Sequence, residues 1–243
     1  MKKIVSFVII FLFVTGSIYA QQGYPDTSVL SAGVRHARQV YDAQLGYESA
    51  VYNGVQHNLY SSDIEGIGYF RSTEWRKGSV VYEDIFYNNI SMKYDLVKEE
   101  LVITPDEKGG VFIALFSPRV KEFSFSGLKF IRLGVPGDGT SLPQGFYQQL
   151  AVGKITAFAR PVKTINETIE NNAIHRKFED KVRYYVLADG VYTHIRNIND
   201  LLAVTKGHKR EIQKALSDRK LKFRKDPEQT IITAVEFYNQ SGY

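Results

Sequence analysis

The chain contains no cysteine. That absence excludes a disulfide framework, a thiolate metal site and a thiol nucleophile, and it removes the residue on which a bacterial lipoprotein anchor is built. Beyond residue 20 no apolar run approaches the ~20 residues needed to span a bilayer. Charge of one sign is also scarce: 31 Lys and Arg stand against 26 Asp and Glu, a net of +5. Nucleic-acid binding calls for a much denser basic footprint, so no nucleic-acid partner is expected. Catalytic signatures are missing too. There is no Gly-x-Ser-x-Gly elbow, and the loop Gly134 to Thr140 lacks the Gly-Lys-Ser/Thr ending and the following helix that would receive a phosphate. The five histidines, His36, His57, His175, His194 and His208, include no pair spaced four apart beside an acidic residue. No catalytic residue, metal or cofactor is therefore assigned.

What is present begins with an address. Met1-Lys2-Lys3 leads into the apolar run Ile4 to Val14, then Thr15 to Ala20, then Gln21-Gln22. A basic start, a short apolar centre and a small residue before a polar stretch is the grammar of a cleavable secretory signal, with the cut expected after Ala20. The mature chain is then 21–243, exported to the periplasm or the extracellular space without a transmembrane segment. Losing Lys2 and Lys3 leaves 29 basic against 26 acidic residues. At 44% hydrophobic and 13% aromatic, the composition lies far from that of disordered chains and can fill a sizeable core.

Hydrophobic rhythm divides the remainder. Val29 to Leu45 carries apolar residues at helical spacing, which gives an N-terminal helical segment over 21–50. From residue 51 to 197 period two dominates, clearest in Ile90 to Leu96, where apolar and polar residues alternate without a fault. Further strands are expected at 55–60, 68–71, 79–82, 101–104, 111–116, 122–125, 128–133, 146–151, 155–160, 182–187 and 191–195. Asp189-Gly190, between two tyrosine-rich strands, predicts a two-residue hairpin. Val111 to Phe116 is apolar on both faces and predicts a strand covered on both sides. Over 198–243 the pattern turns helical, with a short helix capped by Asn199 or Asp200, a second over 210–216, and Asp226-Pro227 opening a last one. The fold expected is α+β: a curled antiparallel β-sheet with an N-terminal helix and a C-terminal helical unit packed on it.

Three groups of residues carry candidate chemistry. His57 alternates with Val55 and Leu59 and so should face the apolar side of its strand, where a satisfied core histidine outweighs a base. Asp63 with Glu65 and Glu99 with Glu100 are carboxylate pairs of the kind glycoside hydrolysis uses, although turn-like settings favour solvated acids. From Lys206 to Lys225 nine cations face only Glu211 and Asp218, and Lys220, Lys222 and Arg224 at its end are the candidate contacts for an anionic surface or partner. Sixteen tyrosines, concentrated in the strands, fit sheet packing better than a ligand groove.

The residues Tyr52-Asn53-Gly54, Gly66 to Phe70, Gly78 to Tyr82, Tyr94-Asp95-Leu96, Tyr184-Tyr185, Tyr192, Leu201-Leu202 and Phe237-Tyr238-Asn239 resemble a pattern in uncharacterised exported proteins of Bacteroidota. The resemblance spans residues 50 to 240. It carries over no catalytic residue and implies a Gram-negative envelope or secreted setting. The functional expectation is a non-enzymatic exported envelope protein, a binding or interaction module for a lipid, a lipoprotein or another envelope partner. Its rival is a periplasmic or secreted hydrolase with dispersed carboxylates or His57 as base. A deep polar pocket where His57 meets a carboxylate favours the rival; a long apolar groove favours the carrier.

Overall fold

The computed structural model describes residues 50–241 except 138, 140, 141 and 206, together with residues 33 and 37. The expected leader, its cleavage point and most of the N-terminal helical segment lie outside the described residues; Gly33 and Ala37 are helical. Two compact units divide the chain, Met1–Arg38 and Gln39–Tyr243. The second is built on twelve strands: β1 (Val55–Gln56), β2 (Ile64–Glu65), β3 (Arg76–Tyr82), β4 (Ile85–Asp95), β5 (Glu100–Thr104), β6 (Ile113–Ala114), β7 (Val120–Phe125), β8 (Leu128–Leu133), β9 (Gly145–Ala151), β10 (Thr156–Glu170), β11 (Ala173–Ala188) and β12 (Val191–Ile195). Three helices follow: α1 (Ile198–Val204), α2 (Lys209–Asp218) and α3 (Pro227–Gln240). Among the described residues no helix is long and apolar enough to cross a membrane.

Short turns make most neighbours in sequence neighbours in space. The sheet runs β1-β6-β5-β4-β3-β7-β8-β9-β10-β11-β12, antiparallel throughout, and β2 adds to β11 as its one parallel pair. It is therefore an α+β fold, but the expected curling is corrected. The strand path is open, with β1 and β12 at opposite ends, and the sheet is not curled. Its buried side chains form three separate clusters, where a curled sheet would gather them into one interior. The first cluster, under β3 to β8, is aromatic: the Phe123 and Phe130 rings stack at 4.9 Å, and Tyr94 meets both edge-on. The second lies between β9 to β12 and the helices, with Ile195, Leu201, Ile212 and Ile231 at its centre. Period two then sorts adjacent residues to opposite faces. Val186 joins that helical core while Tyr185 joins the third cluster with Tyr147 and Phe158.

Several local expectations change. The run 111–116 holds a strand only at Ile113–Ala114, and Val111 and Phe116 are exposed instead of covered. The strand expected over 55–60 stops at Gln56; Val55 and Leu59 are exposed, while His57 is buried and Tyr60 half-buried. The cap of α1 is Asn197, whose side-chain oxygen accepts from the Asn199 and Asp200 backbone N–H groups. Pro227 opens α3, but the Asp226 side chain makes no capping bond.

Candidate functional site

After β1 the chain crosses the end of β4 as a strap. The His57 N–H donates to the Phe112 carbonyl (2.7 Å), the Phe70 N–H to that of Tyr94 (2.8 Å), and the Leu96 N–H to that of Gly68 (3.0 Å). Beneath it sits Asp95, fully buried. A buried carboxylate needs donors, and Asp95 has them: Tyr60 Oη at 2.9 and 2.8 Å from its two oxygens, and the backbone N–H groups of Val97 (2.9 Å) and Lys98 (3.0 Å) on Oδ1. His57 Nε2 lies 3.0 Å from Tyr69 Oη and 3.7 Å from Asp95 Oδ2. The first distance is a hydrogen bond; the second is too long for one. Burial, with help from Lys98, lowers the His57 pKa against the opposing pull of Asp95. Burial likewise raises the hydroxyl of Tyr60, where the bond to Asp95 adds to it, and pushes Tyr69 up to about 12. All three side chains thus stay neutral near pH 7, as members of a packed hydrogen-bonded network.

Beside the strap opens a cleft of about 890 Å³, walled by 53–58 of the β1 segment, 114–119 after β6, and the ends of β5, β8 and β9. Its rim is apolar at Val55 (75% exposed) and Phe116 (59% exposed). Its charged lining comprises Lys98, Arg119 and Arg132 against Glu99 and Glu100. Glu99 is engaged by Arg160: both its oxygens accept from Arg160 Nη2 at 2.7 Å, and that nitrogen also donates to the Gln144 carbonyl at 3.0 Å. Burial still raises the Glu99 pKa, with Arg160 pulling the other way. Gly145 makes this packing fit, since a Cβ there would stand 2.5 Å from Glu99 Oε2 and 2.8 Å from Arg160 Nε. Arg160 Nε and the Tyr94 hydroxyl are buried without a hydrogen-bond partner, as is His57 Nδ1.

The structure thus brings His57 and the pair Glu99 and Glu100 to one cleft, and leaves the other candidates apart. Asp63 is an exposed acid bridged to Arg176 at 3.2 Å. Lys220, Lys222 and Arg224 lie exposed on the connection from α2 to α3, while Leu221 and Phe223 between them turn toward the helical core. Among the described residues no group of three or more His, Asp or Glu is placed to hold a metal. Sequence reasoning missed Asp95, Tyr60, Tyr69, Arg132 and Arg160. Asp95 stands at a polar position of the alternation in Ile90 to Leu96, which reads as solvent-facing, and Arg132 and Arg160 gave no signal because their partners lie far away in sequence. Compared with known proteins, the chain matches no family model, no curated protein and no solved structure.

Proposed function

We propose that this chain is a non-enzymatic exported envelope protein acting as a binding module, with the cleft beside β1 as the surface that receives a lipid, a lipoprotein or another envelope partner. The observation that carries the reading is the cleft itself: a concavity of about 890 Å³ whose apolar rim, Val55 and Phe116, is left open. Sites for small ligands fall in a range of roughly 300–1,000 Å³ and combine apolar walls with a few polar groups, as this one does. The basic start and apolar centre of residues 1–20, and the resemblance to exported Bacteroidota proteins, support the compartment.

The hydrolase reading has one observation in its favour, that His57 lines the cleft and meets a carboxylate. A general base must reach the proton it removes. The His57 side chain has no exposed surface, and its Nε2 is engaged by Tyr69. Glu99, a candidate acid of the cleft, is held by Arg160. The histidine network therefore serves to pin the strap.

Native mass spectrometry of protein purified from its own envelope tests the proposal. The wild type should carry a bound mass in stoichiometric amount, and Phe116→Asp, which puts a charge on the exposed apolar rim, should lose it. A wild type without adduct, or a variant that keeps the same adduct, would overturn the cleft as the binding surface.

A further inference from the structure

We infer that the ligand of this cleft is an amphiphile with a single anionic head group, which pairs with Arg132, and an apolar body lying along Phe116 and Val55. The inference rests on the reading of the cleft as the binding surface and adds the chemistry of what binds. It follows from the charges that remain once internal pairs are removed. Of the three lining cations, Arg119 is paired with Glu83 on the neighbouring turn, and its guanidinium lies 5.7 Å from the Phe116 ring centre. Lys98 forms no ion pair among the described residues: it lies over the Tyr60 ring and donates to the Asn58 carbonyl at 3.5 Å, and Glu100 in the same lining balances its charge. Glu99 belongs to Arg160. Arg132 is left.

Its Nη1 donates to the Ser117 carbonyl at 3.1 Å, a neutral acceptor, and no carboxylate among the described residues pairs with it. Arg132 is half-buried, and burial lowers its pKa, with no acid among the described residues raising it. A guanidinium cannot shed its proton near neutral pH, so one that has lost part of its hydration without gaining a counter-charge is short of a partner. Its planar fork matches a carboxylate or phosphate oxygen pair. One uncompensated cation suits one anionic group, whereas a polyanion such as a nucleotide would need several. The apolar part of the ligand has its place on Phe116 and Val55, whose exposed surface on the cleft rim is otherwise wet.

Amide chemical-shift titrations of the whole mature chain with decanoate, 1-decanol and decyltrimethylammonium test the assignment. Decanoate should bind saturably, with shifts gathered at 54–58, 114–117, 132 and 144–146. Decanol should bind about tenfold more weakly, the equivalent of one lost charge-assisted contact, and the cationic amphiphile should leave these amides unmoved. Arg132→Gln should bring decanoate down to the level of decanol without changing decanol itself, and Lys220→Gln should change neither. Absence of decanoate shifts at the cleft, equal affinity for acid and alcohol, or an unchanged Arg132→Gln would each overturn the anionic head group. None of these results depends on the co-purified mass, so the cleft can stand as a binding surface while this assignment falls.

Discussion

At the scale of single residues, the buried polar atoms divide into satisfied and unsatisfied, and the division has energetic consequences. Tyr147 Oη donates to the Pro143 carbonyl at 2.6 Å, whereas the Tyr94 hydroxyl is fully buried with no partner. Tyr147→Phe should therefore cost about 1 kcal/mol of unfolding free energy, while Tyr94→Phe should be neutral or stabilising, because it removes a donor that is desolvated without return. Urea unfolding checks both, and an equal loss in the two variants would contradict the orphaned hydroxyl. Gly145 is the converse case, a position defined by what cannot be added. A methyl group would press on both members of the Glu99–Arg160 pair, so Gly145→Ala should destabilise by about 1–3 kcal/mol, read as a lowered thermal midpoint. His57 gives a pH dependence. Its folded pKa is lowered below the ordinary 6.5, so the unfolded chain binds the proton more readily. The stability supplied by the neutral ring is complete above 6.5 and is lost as pH falls through the lowered folded value. The slope of stability against pH between about 5 and 7 should then shrink in His57→Gln, and a slope equal to that of the wild type would remove His57 from the account.

At the scale of elements, strands whose alternation is apolar could be read in the sequence, and strands stabilised by polar pairing could not. β8 and β12 occupy the ranges that their rhythm predicts, and Asp189-Gly190 turns between Ala188 and Val191 with φ of 50° and 77°. Gly190→Val would place a β-branched residue at that positive φ and should cost about 1–2 kcal/mol in a denaturant titration. The outer half of β10 and β11 is different. There the ladder continues from Val162↔Lys181 to Glu170↔Ala173 around Asn171 and Asn172, both at positive φ, with mostly polar residues on each strand. Only Ile165, Ile169, Ile174 and Phe178 supply an apolar stripe, and they face one another across the pair. Arg176 bridges Glu167 and Asp63, which ties the ribbon to β2 through cross-strand charge. Hydrophobic periodicity is blind to such a strand. The same reason hid the site: His57 could be read as inward-facing, but Asp95, Tyr69 and Arg132 gain their roles from contacts with residues distant in sequence, which no local spacing encodes.

At the scale of the whole molecule, charge is distributed so that the helical end is basic although the net charge is small. Lys209, Arg210, Lys214, Arg219, Lys220, Lys222, Arg224 and Lys225 are all exposed, and none forms an ion pair with a described residue. In the connection from α2 to α3 the alternation is complete, with Lys220, Lys222 and Arg224 outward and Leu221 and Phe223 against the helical core. Packing is thus assigned to the apolar residues and leaves the three cations free of any structural duty. Reversing all three to Glu should change unfolding free energy by no more than about 0.5 kcal/mol, the usual range for exposed positions. It should also abolish most of the attraction to liposomes rich in anionic lipid at low salt. That attraction is long-ranged and screened over ~8 Å at physiological ionic strength, so it steers an encounter more than it holds a complex. Cosedimentation at low and at physiological salt measures the effect. Wild-type binding that withstands salt would contradict a purely electrostatic contact, and a triple variant that binds as the wild type does would show that the basic end has no part in it.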